Sequence, residues 1–131
     1  MVWYSERANK YGAKRTDYGG NVYHSKFEAG YAEELDLRLM AKDIKGWERQ
    51  KRFSFNFVKK HGDWVLTDKS IAGKEGFHIT DYILDFIITH NDGTKEFIEV
   101  KGVEMPAWKM KWKMLCALYE DVPDVKITLV K

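Results

Sequence analysis

The 131-residue chain has one cysteine, Cys116, and two prolines, Pro106 and Pro123. A lone cysteine excludes an intrachain disulfide, which suits a cytoplasmic setting. Cys116 falls on the apolar side of a predicted helix, where a small core residue belongs. No apolar run approaches the ~20 residues of a membrane-spanning helix. The opening Met1-Val2-Trp3-Tyr4-Ser5-Glu6-Arg7 lacks a signal peptide's apolar stretch, so no membrane partner is expected. Repeats and low-complexity tracts are missing, and a net charge of only +2 names no partner by itself. Aromatic side chains, by contrast, are plentiful at 15%, so the core or a binding surface is rich in rings. With 44% hydrophobic and 32% charged residues, the composition is that of a soluble globular domain.

The charge is unevenly spread. Residues 1–26 carry Arg7, Lys10, Lys14, Arg15 and Lys26 against Glu6 and Asp17, and residues 101–113 carry Lys101, Lys109, Lys111 and Lys113 against Glu104. Acid gathers at Glu28, Glu33, Glu34, Asp36 and Asp43. Segregation of this kind makes a basic rim around an acidic pocket, or simply solvated helix faces, and charge alone leaves both open.

Two units are expected: a basic, aromatic arm with a small hairpin over 1–24, and one domain over 25–131. In the arm, Tyr18-Gly19-Gly20-Asn21 predicts the hairpin turn. Ser25-Lys26-Phe27-Glu28 has capping-box form, and the helix it opens runs to about Lys42, with Phe27, Tyr31, Leu35 and Leu39 as its buried stripe. Alternation over Phe53–Val58 predicts a strand, which turns at Lys60-His61-Gly62-Asp63 into Trp64-Val65-Leu66, and 68–77 reads as a loop. Pro106 opens a second helix with a stripe of Trp108, Trp112, Leu115 and Tyr119. Val125–Val130 closes the chain as a strand, parallel to the one before the helix. The expected order is helix, two or three strands, helix, strand: an α/β fold (mixed α+β) with a central mixed sheet flanked by helices.

The most informative stretch is a hairpin over roughly 78–102. Apolar runs at Ile83–Thr89 and Phe97–Val100 flank His90-Asn91-Asp92-Gly93-Thr94, a three-residue loop with Gly93 at its left-handed position. That register sets His90 opposite Thr94, Ile87 opposite Phe97, Asp85 opposite Glu99, and Ile83 opposite Lys101. On the other face Phe86 meets Ile98 and Leu84 meets Val100. Opposed residues have Cβ atoms ~4.5–5.5 Å apart, and two carboxylates that close repel unless a positive charge lies between them. A divalent cation is the economical explanation.

An Asp on one strand and Glu-x-Lys on the next, in this element order, resembles the PD-(D/E)XK nuclease superfamily and its restriction-endonuclease-like core, of order αβββαβ. Asp85, Glu99 and Lys101 match its motif, with Leu84 where the motif name has Pro. Glu28 is similar to the helix acid of many members. Lys10-Tyr11-Gly12-Ala13-Lys14, Ser25-x-x-Glu28, Tyr82-x-x-Asp85-Phe86 and Glu99-Val100-Lys101-Gly102 resemble, more closely, phage-encoded endonucleases related to Holliday-junction resolvases.

The resemblance implies a metal-dependent DNA endonuclease, located in the host cytoplasm if viral. Asp85, Glu99, the Val100 carbonyl and Glu28 would hold Mg²⁺, with Mn²⁺ as substitute. Lys101, about 6.6 Å along the strand from Glu99, would orient water or stabilise charge. Glu28 also has the form of a capping-box acid, and Gln50 reads equally as a site contact or a solvated turn residue. Lys10, Lys14, Arg15, Lys109, Lys111 and Lys113 are candidate phosphate contacts or solvated lysines and arginine. Branched DNA is the expected substrate, cut in pairs by a homodimer. A less selective or sequence-specific nuclease and a non-catalytic nucleic-acid-binding module on a nuclease scaffold remain alternatives.

Overall fold

The structure, a computed structural model, describes residues 25–101 and 104–131, with the backbone of 16–18 and 21–23. Lys10, Lys14, Arg15, Gly19, Gly20, His24 and Gly102 lie outside the described residues. β1 (Thr16–Tyr18) and β2 (Asn21–Tyr23) pair antiparallel with Tyr18 opposite Asn21, as the Gly-Gly turn predicts.

Helix α1 (Lys26–Met40) starts where its cap predicts: the Ser25 hydroxyl accepts the Glu28 N–H at 3.1 Å. Its far end closes in a Schellman motif. Lys42 N–H reaches Leu39 O at 3.0 Å and Asp43 N–H reaches Arg38 O at 2.9 Å, with Lys42 at φ 61. The buried side differs from the expected stripe. Glu28, Ala29, Ala32 and Leu35 are buried, Tyr31 is half-buried, and Phe27 and Leu39 are each 39% exposed. Two alanines let the helix settle closely on the sheet, so the bulkier side chains flanking them stay at the rim.

Four strands follow where two or three were expected: β3 (Gly46–Lys60), β4 (Asp63–Thr67), β5 (Gly76–Thr89) and β6 (Lys95–Val100). β3 begins seven residues before Phe53, where alternation predicts the strand, and includes Trp47–Gln50. Then come α2 (Pro106–Tyr119), with its proline in the first turn, and β7 (Val125–Val130). The five strands form one mixed sheet in the order β4-β3-β5-β6-β7, antiparallel except for the parallel pair β6–β7 that α2 connects.

The sheet is the middle of three layers. α1 packs Ala29, Ala32 and Leu35 against Phe86, Ile88, Ile98 and Val100. On the other face Trp108 and Leu115 of α2 meet Phe53, Phe55, Tyr82, Leu84, Ile87 and Phe97, with Trp112 and Tyr119 half-buried beside them. The β5–β6 turn has the predicted form. Gly93 sits at φ 90, its N–H reaches His90 O at 2.9 Å, and the ladder pairs Ile87 with Phe97 and Phe86 with Ile98.

Glu96 ties this hairpin to β7. It accepts the Thr128 hydroxyl at 2.7 Å and meets His90 Nε2 at 2.9 Å, so His90 is half-buried rather than solvent-facing. Burial pushes the Glu96 carboxyl up, but the Thr128 hydroxyl, His90 and nearby Lys126 outweigh it and hold the group below its ordinary range. A carboxyl depressed in the folded state stabilises above its unfolded pKa, and that contribution vanishes as pH falls through the folded value. Glu96→Gln is therefore expected to lose about 1–2 kcal/mol at pH 7, with the gap to wild type closing in strong acid, as read from urea melts across pH. Lys42→Gly relieves the left-handed backbone at the end of α1 and should add about 0.5–1 kcal/mol in the same assay.

Candidate metal and acid–lysine site

The β3–β5 pairing is irregular at two levels: a register shift between Phe55 and Asn56, and a break nearer the acids. Between the pairs Arg49↔Phe86 and Lys51↔Leu84, the opposed residues Gln50 and Asp85 form no ladder pair, and Gln50 lies at φ 54. Before the break Trp47, Phe86 and Ile88 belong to the α1 layer; beyond it Phe53, Tyr82 and Leu84 belong to the α2 layer. Regular pleating would keep Leu84 and Phe86 on one face. Both strands instead change faces together at Gln50 and Asp85.

This overturns part of the expected register. Leu84 lies in the α2 layer and Val100 in the α1 layer, so they do not meet. The β5–β6 ladder ends at Phe86↔Ile98, which leaves Asp85–Glu99 and Ile83–Lys101 outside it. The strands part there because β5 has turned over while β6 stays beside β7, with Val100 paired to Val130. Asp85 bridges the gap: its Oδ2 accepts the Val100 N–H at 2.8 Å. That bond holds the Asp85 carboxylate next to Glu99 along the chain.

Glu99 is fully buried, and Asp85 and Lys101 nearly so. The Tyr82 hydroxyl donates to Glu99 Oε1 at 2.6 Å, and Lys101 Nζ stands 3.0 Å from Oε2. The Lys101 ammonium also lies 4.7 Å above the Trp108 ring, a cation–π contact at a buried position. Its backbone N–H donates to Val130 O at 2.8 Å, fixing the lysine at the end of β6. Burial pushes the Tyr82 hydroxyl far above its ordinary value, and the charges of Glu99 and then Asp85 push it further. Both acids therefore act on one phenol, which stays a donor at any working pH. The Trp108 indole N–H draws the value down by more than Asp85 raises it, yet among the described residues it completes no well-aimed hydrogen bond.

The remaining predicted residues divide. Glu28 is buried on α1 with its N–H on the Ser25 cap. Among the described residues no three His, Cys, Asp or Glu side chains gather closely enough to cage a cation, so Glu28, Asp85 and Glu99 are not a ready three-acid cage. Gln50 is half-buried at the break opposite Asp85, not in a solvated turn. Lys109 and Lys113 are exposed on α2 and Lys111 is half-buried. Asp81 pairs with Arg52 at 2.9 Å and His78 at 3.3 Å, away from the acids, and Glu104 pairs with Lys131 at 2.7 Å. Lys10, Lys14 and Arg15 carry no structural description.

Two participants escaped the residue-level reading. Tyr82 stood out only within a motif, and Trp108 only as a member of an apolar stripe. The usable signal was spacing: Tyr82 lies three residues before Asp85, which an alternating strand puts on opposite faces, and only the strand's turning over brings the phenol to Glu99.

A mixed sheet between two helices, with a buried acid–lysine cluster where β5 leaves β6, defines the class: an α/β sandwich with an ionic site at a strand divergence. The chain belongs to the family described as protein of unknown function (DUF1064), which matches residues 8–130. No curated protein and no solved structure matches the chain.

The positive φ at Gln50 is testable. Gln50→Gly should be neutral or stabilising by up to about 1 kcal/mol, since glycine adopts this backbone without strain. Gln50→Val should lose about 1–3 kcal/mol, a β-branched residue being strongly disfavoured there. Equal stability of the two variants in urea melts contradicts a strained backbone at this position.

Proposed function

We propose that the chain is a metal-dependent endodeoxyribonuclease of the PD-(D/E)XK type, acting on branched DNA, with Asp85, Glu99 and Lys101 as its catalytic centre. The observation that carries the reading is the burial of all three charges together at a strand divergence. Isolated buried charges cost several kcal/mol each even after relaxation, and a fold without use for them would do as well with apolar side chains.

The donor set suits a hard divalent cation. Mg²⁺ prefers oxygen ligands and is commonly held by one or two carboxylates, retaining water and substrate oxygens in place of an all-protein cage. A two-acid site supplemented by the Val100 carbonyl fits that habit, so the missing third acid is no obstacle, and Glu28 would act at most through water. Bound there, Mg²⁺ or Mn²⁺ would ease deprotonation of a water molecule and neutralise charge on the phosphoryl oxygens. Asp85 and Glu99 supply the negative field that holds the cation. Lys101, 3.0 Å from Glu99, stabilises developing negative charge on the phosphate or orients the attacking water. The exposed Lys109 and Lys113 would contribute backbone contacts to DNA, and a two-fold pair of chains would deliver two incisions at a junction.

A second reading has its own observation. Glu99 is already engaged by Tyr82 and Lys101, as in a self-contained structural ion pair, and this favours a non-catalytic nucleic-acid-binding module. Incubation of the protein with a four-way junction, a flap and a linear duplex in Mg²⁺ or Mn²⁺ separates the readings. The nuclease reading expects incision abolished by chelator and reduced at least about 100-fold by Asp85→Ala or Lys101→Ala. Equal rates on all three substrates remove the branched preference. DNA binding without incision, unchanged by both substitutions, favours the binding module.

A further inference from the structure

We propose that Tyr82 is a positioning residue for the cation site: its hydroxyl holds the Glu99 carboxylate in the orientation that receives the metal. The inference rests on the cation reading above. It draws on three features of Tyr82 that a merely space-filling aromatic does not need.

The first is the hydrogen bond. Tyr82 donates to Glu99 Oε1 at 2.6 Å while Lys101 stands at Oε2 at 3.0 Å, so each carboxylate oxygen meets its own fixed partner. A carboxylate has about four acceptor directions over its two oxygens; a hydroxyl donor on Oε1 and an ion-paired ammonium beside Oε2 orient the group for a cation. The second is the anchoring of the ring. Tyr82 is 4% exposed, pairs with Phe53 across the β3–β5 ladder and stacks on Phe55 with centroids 6.2 Å apart. A donor on an immobilised ring has little freedom to follow the carboxylate, so the carboxylate must follow it.

The third is the break in alternation. Tyr82 shares its face with Glu99 and Trp108 only because β5 turns over between Leu84 and Phe86. The same distortion that frees Asp85 from the ladder thus brings the phenol to the second acid. Outer partners of this sort typically alter metal affinity 10–100-fold when removed.

Titration calorimetry with Mg²⁺ and Mn²⁺ alone tests the assignment without recourse to activity. The comparison is between wild type, Tyr82→Phe and a control, Tyr119→Phe. Tyr119 also donates to a carboxylate, that of Asp68, but outside the acid–lysine cluster. Affinity should fall at least about tenfold in Tyr82→Phe and stay at the wild-type value in Tyr119→Phe. If DNA is cleaved, half-saturation by metal should rise by the same factor, with a smaller drop in the maximal rate.

Unchanged affinity in Tyr82→Phe overturns the assignment, as does an equal loss in both tyrosine variants or the absence of cation binding to wild type. Cation binding that depends on Tyr82, in a protein that cleaves no DNA, leaves the assignment standing and removes the nuclease reading. Should Tyr82→Phe fail to fold, p-aminophenylalanine at position 82 keeps the ring and a donor. Cation affinity within about threefold of wild type supports donation, and a tenfold loss counts against it.

Discussion

Glu99 is fully buried in the sheet, and among the described residues two neighbours answer its charge: the Tyr82 hydroxyl on one oxygen and the Lys101 ammonium near the other. Desolvating a carboxylate is unfavourable by several kcal/mol, so this contact constrains everything around it. Lys101 must lie at the end of β6, under the edge of α2, where Trp108 supplies a ring face in place of solvent. Tyr82 must occupy the α2 side of β5. Asp85, displaced from the ladder, must take its hydrogen bond from Val100, the residue after Glu99.

Those requirements explain the architecture near the site. A five-stranded sheet built on strict alternation would place Asp85 and Glu99 as simple cross-strand neighbours on one face, and Tyr82 on the other, with Leu84 and Phe86. The shared change of face at Gln50 and Asp85 rearranges this, with the Gln50 backbone held at φ 54 as its local signature. Backbone strain of that sort persists only where surrounding packing over-determines it. Here the packing comes from both helices: α1 holds Phe86 and Ile88, and α2 holds Tyr82 and Leu84.

Much of this was legible in the amino acids. The Gly93 turn, the Ser25 cap, the proline that opens α2, the parallel closing strand and the mixed sheet between two helices all follow from local chemistry that packing did not override. The face of α1 was misread because large side chains attract attention, whereas close contact with the sheet selected Ala29 and Ala32. The register was correct from the turn to Phe86 and failed one step later. Period-two reasoning carries no term for a strand that turns over, and a positive φ at a glutamine leaves no mark in the sequence. The burial of His90 likewise depends on distant chain, since its partner Glu96 is itself fixed by Thr128 on a strand some thirty residues away.

On the proposed function, Asp85 and Glu99, though not ladder partners, jointly receive a hard cation with Lys101 alongside. Crystals soaked in Mn²⁺ and measured at the manganese absorption edge address this directly. The account predicts an anomalous peak between the two carboxylates, with Tyr82 still on Glu99. A peak elsewhere, or none while Lys101 remains closed on Glu99 at saturating Mn²⁺, contradicts it.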